Sequence, residues 1–329
     1  MNTKSLIKLL LSILMVFIVF RSVDFDNLKT TFVSMSPVAA FLVIIGYTVG
    51  QLISSVKWWT IARAGGITTP YPSALKAYYI GMFVNCFSLG MVGGDAVRGI
   101  LVAQGQPKKT EGIASVIADR IHGLTVLSCF ALATSFLMGN DRVPTNLIQG
   151  LLLMVACFCV GWVVGPWILA NLPFVKETKI AAKLQQVAAI FPRDPKTLLI
   201  ITGLSIVFHT SQILLHAVMA AGMGIDIPLA TLFLVIPFVN IASSLPISWQ
   251  GLGVRENSYI FFLTAAPAIV SREQAVAFGA LWLLAVTVSS AIGGIVALIS
   301  GDLRSLKTTP QDAPLPPVEA EPASQAQQR

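Results

Sequence analysis

The chain has 329 residues, 55% of them hydrophobic and only 11% charged, with a formal net charge of +7 and a mean hydropathy of +0.78. A soluble domain carries about 25% charged residues, so the composition excludes that class and indicates an integral membrane protein. Its basic residues stand beside apolar segments, where they set topology and meet anionic lipid headgroups, and nucleic acid is not an expected partner.

The first apolar run, 5–20, follows Lys4 and Lys8, and no small-residue cleavage site precedes Arg21. It is therefore read as a retained helix rather than a signal peptide. Further runs long enough to span a bilayer, about 16 to 25 residues each, lie at 37–61, 113–138, 147–170, 197–222, 229–247 and 275–299. Two more interrupted stretches occupy 72–94 and 250–267. The loop 171–196 carries Lys176, Lys179, Lys183, Arg193 and Lys196 against Glu177 and Asp194, so the positive-inside rule places it in the cytoplasm, with the amino terminus and Arg63. Counting spans back from that loop puts Arg98, Lys108 and Lys109 on the same side. The stretch 72–94 must then enter and leave through one face, as a re-entrant hairpin surrounded by protein or a water-filled cavity.

The second half repeats the pattern. A nearly charge-free pair of spans, with Asp226 in its turn, precedes a second glycine-rich loop and another interrupted stretch. If both interrupted stretches are re-entrant, this count leaves the carboxyl terminus outside; if the second one spans, the tail is cytoplasmic. Interruptions at matching places in two halves point to a transporter binding site at the repeat interface. The expectation is an all-α polytopic membrane protein of about seven or eight transmembrane helices, with one or two interrupted segments and an internal repeat. A single membrane domain covers 1–304, and a tail, 305–329, is too poor in apolar residues to fold.

The two interruptions, Ser88-Leu89-Gly90-Met91-Val92-Gly93-Gly94-Asp95-Ala96-Val97-Arg98 and Pro246-Ile247-Ser248-Trp249-Gln250-Gly251-Leu252-Gly253-Val254-Arg255-Glu256, are the candidate site. A charge near the bilayer centre costs about 2.5 to 3.5 kcal/mol and is retained mainly where it faces a cavity, a partner or a substrate. In the first loop Gly93 and Gly94 leave amides uncovered, Asp95 stands where a helix could start, and Arg98 lies one turn on. Exposed amides with an arginine suit a phosphate or carboxylate; the alternative is a capped helix whose Asp95–Arg98 pair only stabilises the turn. Asp119 is expected to balance Arg98 across two helices, with Arg120 facing headgroups. In the second loop Gly251 and Gly253 flank a turn, and of Arg255 and Glu256 one can hold a structural bridge while the other meets a ligand; Ser248 completes the set.

Asn85 and Asn240, upstream of the loops, read first as glue between helices. Lys57, Trp58, Trp59, Tyr78 and Tyr79 read as an interfacial belt. His209 and His216 lack the neighbours of a metal site, and Cys86, Cys129, Cys157 and Cys159 form no disulfide or metal pattern. The glycine-rich loops lack the lysine ending of a phosphate-binding P-loop, and there is no serine nucleophile elbow. No catalytic residue, metal or cofactor is expected.

The blocks Phe83-Val84-Asn85, Gly93-Gly94-Asp95-Ala96-Val97-Arg98, Ala114-Ser115-Val116-Ile117-Ala118-Asp119-Arg120, Leu245-Pro246-Ile247-Ser248 and Gly251-Leu252-Gly253-Val254-Arg255-Glu256 resemble the membrane domain of lysylphosphatidylglycerol synthases and its stand-alone flippase-like relatives. Arg21-Ser22-Val23-Asp24 and Lys57-Trp58-Trp59 fit as well. Two departures stand out. Ser88-Leu89-Gly90 replaces a Leu-Pro pair, and the soluble aminoacyl-transferase domain of the bifunctional relatives is not expected here. The resemblance implies translocation without aminoacylation: movement of an anionic or zwitterionic lipid between leaflets of a prokaryotic plasma membrane. Asn85, Gly93, Gly94, Asp95, Arg98, Asp119, Arg120, Ser248, Gly251, Gly253, Arg255 and Glu256 would form the headgroup site, with Arg98, Arg120 and Arg255 contacting phosphate, glycine amides completing it, and Asp95, Asp119 and Glu256 orienting the arginines or recognising a basic headgroup. The alternative is a membrane-embedded enzyme or synthase subunit acting on a phospholipid or lipid-linked sugar. A separate lipid-modifying enzyme and a second copy of the chain are admitted as partners.

Overall fold

A computed structural model describes residues 25–87, 91–138, 143–165, 187–244, 248, 251–264 and 270–301. The expected first span, the basic loop up to 186 and the tail lie outside them. Ten helices carry the described chain: α1 Phe25–Ser34, α2 Pro37–Ala64, α3 Tyr71–Phe87, α4 Met91–Val102, α5 Lys109–Met138, α6 Thr145–Val163, α7 Pro195–Gly222, α8 Leu229–Ser244, α9 Val254–Thr264 and α10 Arg272–Ser300. Five of them, α2, α5, α6, α7 and α10, are long and apolar enough to cross a membrane.

Local signals set the long helices. Ser36 caps α2 by accepting from Ala39 N, and Asp194 caps α7 by accepting from Thr197 N, each followed by proline at the first turn, where a missing N–H costs nothing. Ser271 and Gln274 form a reciprocal capping box on α10, which ends at the left-handed Gly301 (φ 70°). Leu137, Leu298 and Ile299 are more than four-fifths exposed. Such surfaces need no protein cover in hydrocarbon, whereas backbone groups there must be satisfied within the helix.

The chain folds as two inverted repeats, α2–α5 and α7–α10. Ser36 N donates to Gly222 O at 2.8 Å, joining the start of α2 to the end of α7, while Gly65, past the end of α2, lies against Ile190, before the start of α7. The lead helices of the repeats thus pack antiparallel, and theirs is the most extensive helix contact. Exchange is reciprocal: α10, the last helix of the second repeat, packs on α3 of the first, and α5, the last helix of the first, packs on α8 of the second.

Within the first repeat, α3 and α4 form the expected hairpin. The Thr69 hydroxyl donates to Val102 O, Gln106 Nε2 donates to Thr69 Oγ1 at 3.0 Å, and Gln106 Oε1 accepts from Thr68 N at 3.2 Å. The entry to α3 and the exit from α4 therefore lie side by side, at the end of the bundle where α2 stops. A single close approach allows the arms to meet: a Cβ on Gly94 would stand 2.0 Å from Gly81 O.

The second repeat corrects the sequence reading. The stretch expected to span at 229–247 is the 16-residue α8, about 24 Å long at 1.5 Å per residue, and it packs on α9 as the first arm of a second hairpin. Leu263 and Val270 share a buried cluster with Ile225, Ile227 and Leu232, so this hairpin opens at the opposite end from the first. Helix α10 then runs back, and Ala297 near its end shares a cluster with Ile67 and Val102. Two re-entrant hairpins thus bring the end of α10 to the side of Thr68 and Gln106, which, with 229–247 counted as a crossing, is one of two alternatives and requires 250–267 to span as well.

Candidate functional site

The tips of the hairpins converge on a cavity of about 330 Å³ at mid-bundle, lined from the first repeat by Asn85, Asp95, Arg98, Asp119 and Arg120 and from the second by Asn240, Ser243, Ser244 and Arg255, with His209 and Gln212 of α7 beside them. Three arginines against two aspartates give this wall a formal charge of 3 − 2 = +1.

Its first-repeat side is a continuous chain of ion pairs. Asp119 Oδ1 lies 2.9 Å from Lys57 Nζ on α2, and Oδ2 lies 3.3 Å from an Arg98 terminal nitrogen on α4. Asp95 Oδ1 lies 3.3 Å from Arg98 Nε and accepts from Asn85 Nδ2 at 3.2 Å, while Oδ2 accepts from Arg120 Nε. Arg98 is 6% exposed, and its guanidinium sits 5.0 Å from the Trp58 ring centre and 5.2 Å from that of Tyr78. Cation–π attraction strengthens when both groups are desolvated. Trp58 is fixed by donating to Ser115 Oγ at 3.1 Å, and Tyr78 by hydrogen bonds to Gln51 and Ser54 at 3.0 and 2.9 Å.

These contacts correct several roles. Helix α4 begins at Met91, so Asp95 lies inside it rather than capping it. The Gly94 amide is not uncovered: it donates to Asn85 Oδ1 at 2.9 Å, and Gly94 serves close packing. Gly93 is exposed in the first turn. Arg120 does not turn to headgroups at the membrane surface but pairs with Asp95 and lines the cavity. Lys57 and Tyr78, expected in an interfacial belt, are 5% and 6% exposed, and Trp58 is fully buried. The pairing of Arg98 with Asp119 is as expected.

In the second hairpin, Gly251 (φ 72°) and Gly253 (φ 78°) hold left-handed backbone that side-chain-bearing residues rarely adopt. Glu256 Oε2 accepts from Gly253 N at 2.6 Å, closing the first turn of α9, and the Glu256 side chain packs where a Cβ on Gly279 would fall. Glu256 therefore holds the turn while Arg255, one residue earlier, faces the cavity. Ser248 is buried, 2% exposed, and is not among the lining residues. His216 Nε2 meets the Tyr259 hydroxyl at 2.6 Å, pinning α9 to α7. Among the described residues no group of three or more His, Cys, Asp or Glu is placed to hold a metal ion.

A family model described as the lysylphosphatidylglycerol synthase TM region matches residues 5–294. The chain belongs to this family. The match takes in both inverted repeats and all twelve residues expected to form the site, and it stops seven residues short of the last described one, Gly301. Membership makes the chain a multi-pass integral membrane protein of lipid modification or translocation. No curated protein matches it. Lys57, Trp58, Tyr78 and Gln51 around the ion pairs, and His209, Gln212, Asn240, Ser243 and Ser244 on the lining, are site residues that the sequence reading did not assign. Their only signal was a lysine and polar groups within a span, which also fits snorkelling at the interface.

Proposed function

We propose that the protein moves a phospholipid, or another lipid with a phosphate headgroup, between leaflets of a prokaryotic plasma membrane, with the amino terminus in the cytoplasm. The observation that carries this reading is the mid-bundle cavity, where Arg120 of the long helix α5 and Arg255 of the second hairpin, one from each repeat, line one polar space. A guanidinium offers a planar fork of donors matched to phosphate oxygens. A buried arginine, Arg255, and a partly exposed one, Arg120, facing a cavity within an apolar bundle fit a transit site, since charges inside membranes mark substrate pathways.

The inverted repeats supply a route. In such folds the site lies at the repeat interface, and rocking one repeat against the other exposes it to each side in turn. In this reading the headgroup crosses through the cavity while the acyl chains stay in lipid. Arg120 and Arg255 contact the phosphate, and Arg98, held by two aspartates and two rings, keeps the wall in place. Purified protein in vesicles should speed the exchange of fluorescent phosphatidylglycerol between leaflets, and Arg120→Gln and Arg255→Gln should each slow it. Wild-type vesicles exchanging lipid no faster than protein-free vesicles would refute the proposal.

A further inference from the structure

The arginines of the cavity supply hydrogen-bond donors, and three polar groups that share its wall on α7 and α8 supply acceptors. A serine hydroxyl carries one proton and two lone pairs. Ser243 Oγ donates to Val239 O and Ser244 Oγ donates to Ile241 O, each at 2.7 Å within α8. Both residues line the cavity with only lone pairs left to offer. His209 Nε2 meets Gly123 O of α5 at 3.2 Å. A carbonyl only accepts, so in the neutral ring the proton sits on Nε2 and Nδ1 keeps its lone pair. Among the described residues nothing donates to that nitrogen. The ring is steadied by edge contacts with Phe130 and Phe208, whose centres lie 6.4 and 5.2 Å away.

We propose that His209, Ser243 and Ser244 form an acceptor subsite for donors that the headgroup carries beyond its phosphate, hydroxyl or ammonium, so that lipids bearing such donors are preferred to those bearing none. The proposal deepens the translocator reading and rests on it for movement, though not for binding. At about 330 Å³ the cavity lies at the small end of ligand pockets, about 300 to 1,000 Å³, which suits a headgroup and leaves the acyl chains outside. A phosphate on Arg120 and Arg255 therefore shares this small space with the three acceptors. A substituent with donors completes them. An alkyl substituent strips them of water and gives nothing back, and an acceptor buried without a donor costs more than the bond is worth. A site with fixed polar groups thus discriminates mainly by rejecting the ligand that lacks their partner.

The test separates the subsite from movement. Full-length protein in a nonionic detergent is titrated calorimetrically with the dihexanoyl forms of phosphatidylglycerol, phosphatidylethanolamine and phosphatidylpropanol. Phosphatidylpropanol matches phosphatidylglycerol in headgroup carbons and charge but has no donor there. Wild type should bind phosphatidylglycerol about tenfold tighter than phosphatidylpropanol, the worth of one or two net hydrogen bonds. His209→Phe, and the double variant Ser243→Ala, Ser244→Ala, should each lower that preference to about threefold or less while leaving phosphatidylpropanol binding nearly unchanged. Weakening of phosphatidylglycerol alone assigns the subsite to hydroxyls, and weakening of phosphatidylethanolamine as well extends it to ammonium groups. If one variant fails to fold, the wild-type comparison and the other variant decide. Equal binding of phosphatidylglycerol and phosphatidylpropanol by wild type, a preference that survives both variants, or a uniform loss of all three lipids in folded variants overturns the proposal. No binding of any lipid overturns the subsite and the headgroup site together. The same lipids are then followed in vesicles, where the expected binding order without leaflet exchange supports the subsite and overturns translocation.

Discussion

Arg98 on α4 and Asp119 on α5 meet at 3.3 Å, while the other Asp119 oxygen holds Lys57 of α2 at 2.9 Å. One buried carboxylate thus ties the first hairpin to the two long helices on either side of it in sequence. Asp119→Ala leaves the buried Lys57 without its carboxylate and Arg98 with Asp95 alone, and loss of one member of a buried pair costs about 3 to 5 kcal/mol. Thermal unfolding in detergent should show a large fall in Tm for Asp119→Ala. A Lys57→Met, Asp119→Asn double variant, which removes one of those cations, should lose less than the sum of its singles.

Gly94 is expected to tolerate no side chain. A Cβ there would lie 2.0 Å from Gly81 O and 2.6 Å from Asn85 N, forcing the arms of the hairpin apart and breaking the Gly94–Asn85 bond. Overpacking of this kind costs about 1 to 3 kcal/mol. Gly150→Ala on α6, where a Cβ meets nothing within 4 Å, should leave the melting temperature nearly unchanged. Equal effects of the two substitutions would contradict the packing described.

Glu256 and Gly253 are predicted to act on the turn and not on the ligand. Removing the Glu256 carboxylate frees the Gly253 amide and should cost about 1 kcal/mol, and Gly253→Ala should add strain of about 1 to 2 kcal/mol at its left-handed backbone. Both variants should melt earlier. In the fraction that remains folded, Glu256→Ala should bind phosphatidylglycerol nearly as wild type does, whereas Arg255→Gln should not.

The inverted arrangement predicts a labelling pattern. In a cysteine-free background, Gln104→Cys beyond α4 should react with an impermeant maleimide from the same side of the membrane as Arg63→Cys. Asp226→Cys and Arg272→Cys, at the mouth of the second hairpin, should react from the other side. Reaction of Gln104→Cys from the side of Asp226→Cys would mean that 71–102 makes one net crossing instead of returning to the side it enters.

The fold was legible where polarity and length speak together. Charge placement alone required 72–94 to re-enter, and the hydrogen bonds of Thr69 and Gln106 at its mouth agree. The stretch 229–247 misled because a half-length helix buried inside the bundle is as apolar as a full crossing: Leu234 to Val239 are all buried, and Pro237 does not end α8. At the site, the charged members were visible as charges in an apolar chain, and Arg98 with Asp119 followed from helix order. The places of Lys57, Trp58 and Tyr78 did not, because an apolar span offers the same composition to lipid and to protein. Nor could spacing show that the Gly94 amide is consumed by Asn85, since that bond depends on how the two arms close.

The most direct test of headgroup transit is leaflet-resolved movement of fluorescent phosphatidylglycerol in vesicles reconstituted with wild type, Arg120→Gln, Arg255→Gln or the double variant, each shown to be folded by thermal unfolding. The account predicts fast exchange with wild type, slower exchange with either single variant, and a rate near that of protein-free vesicles with the double. Wild-type rates retained in the folded double variant would contradict passage of the headgroup between the two arginines.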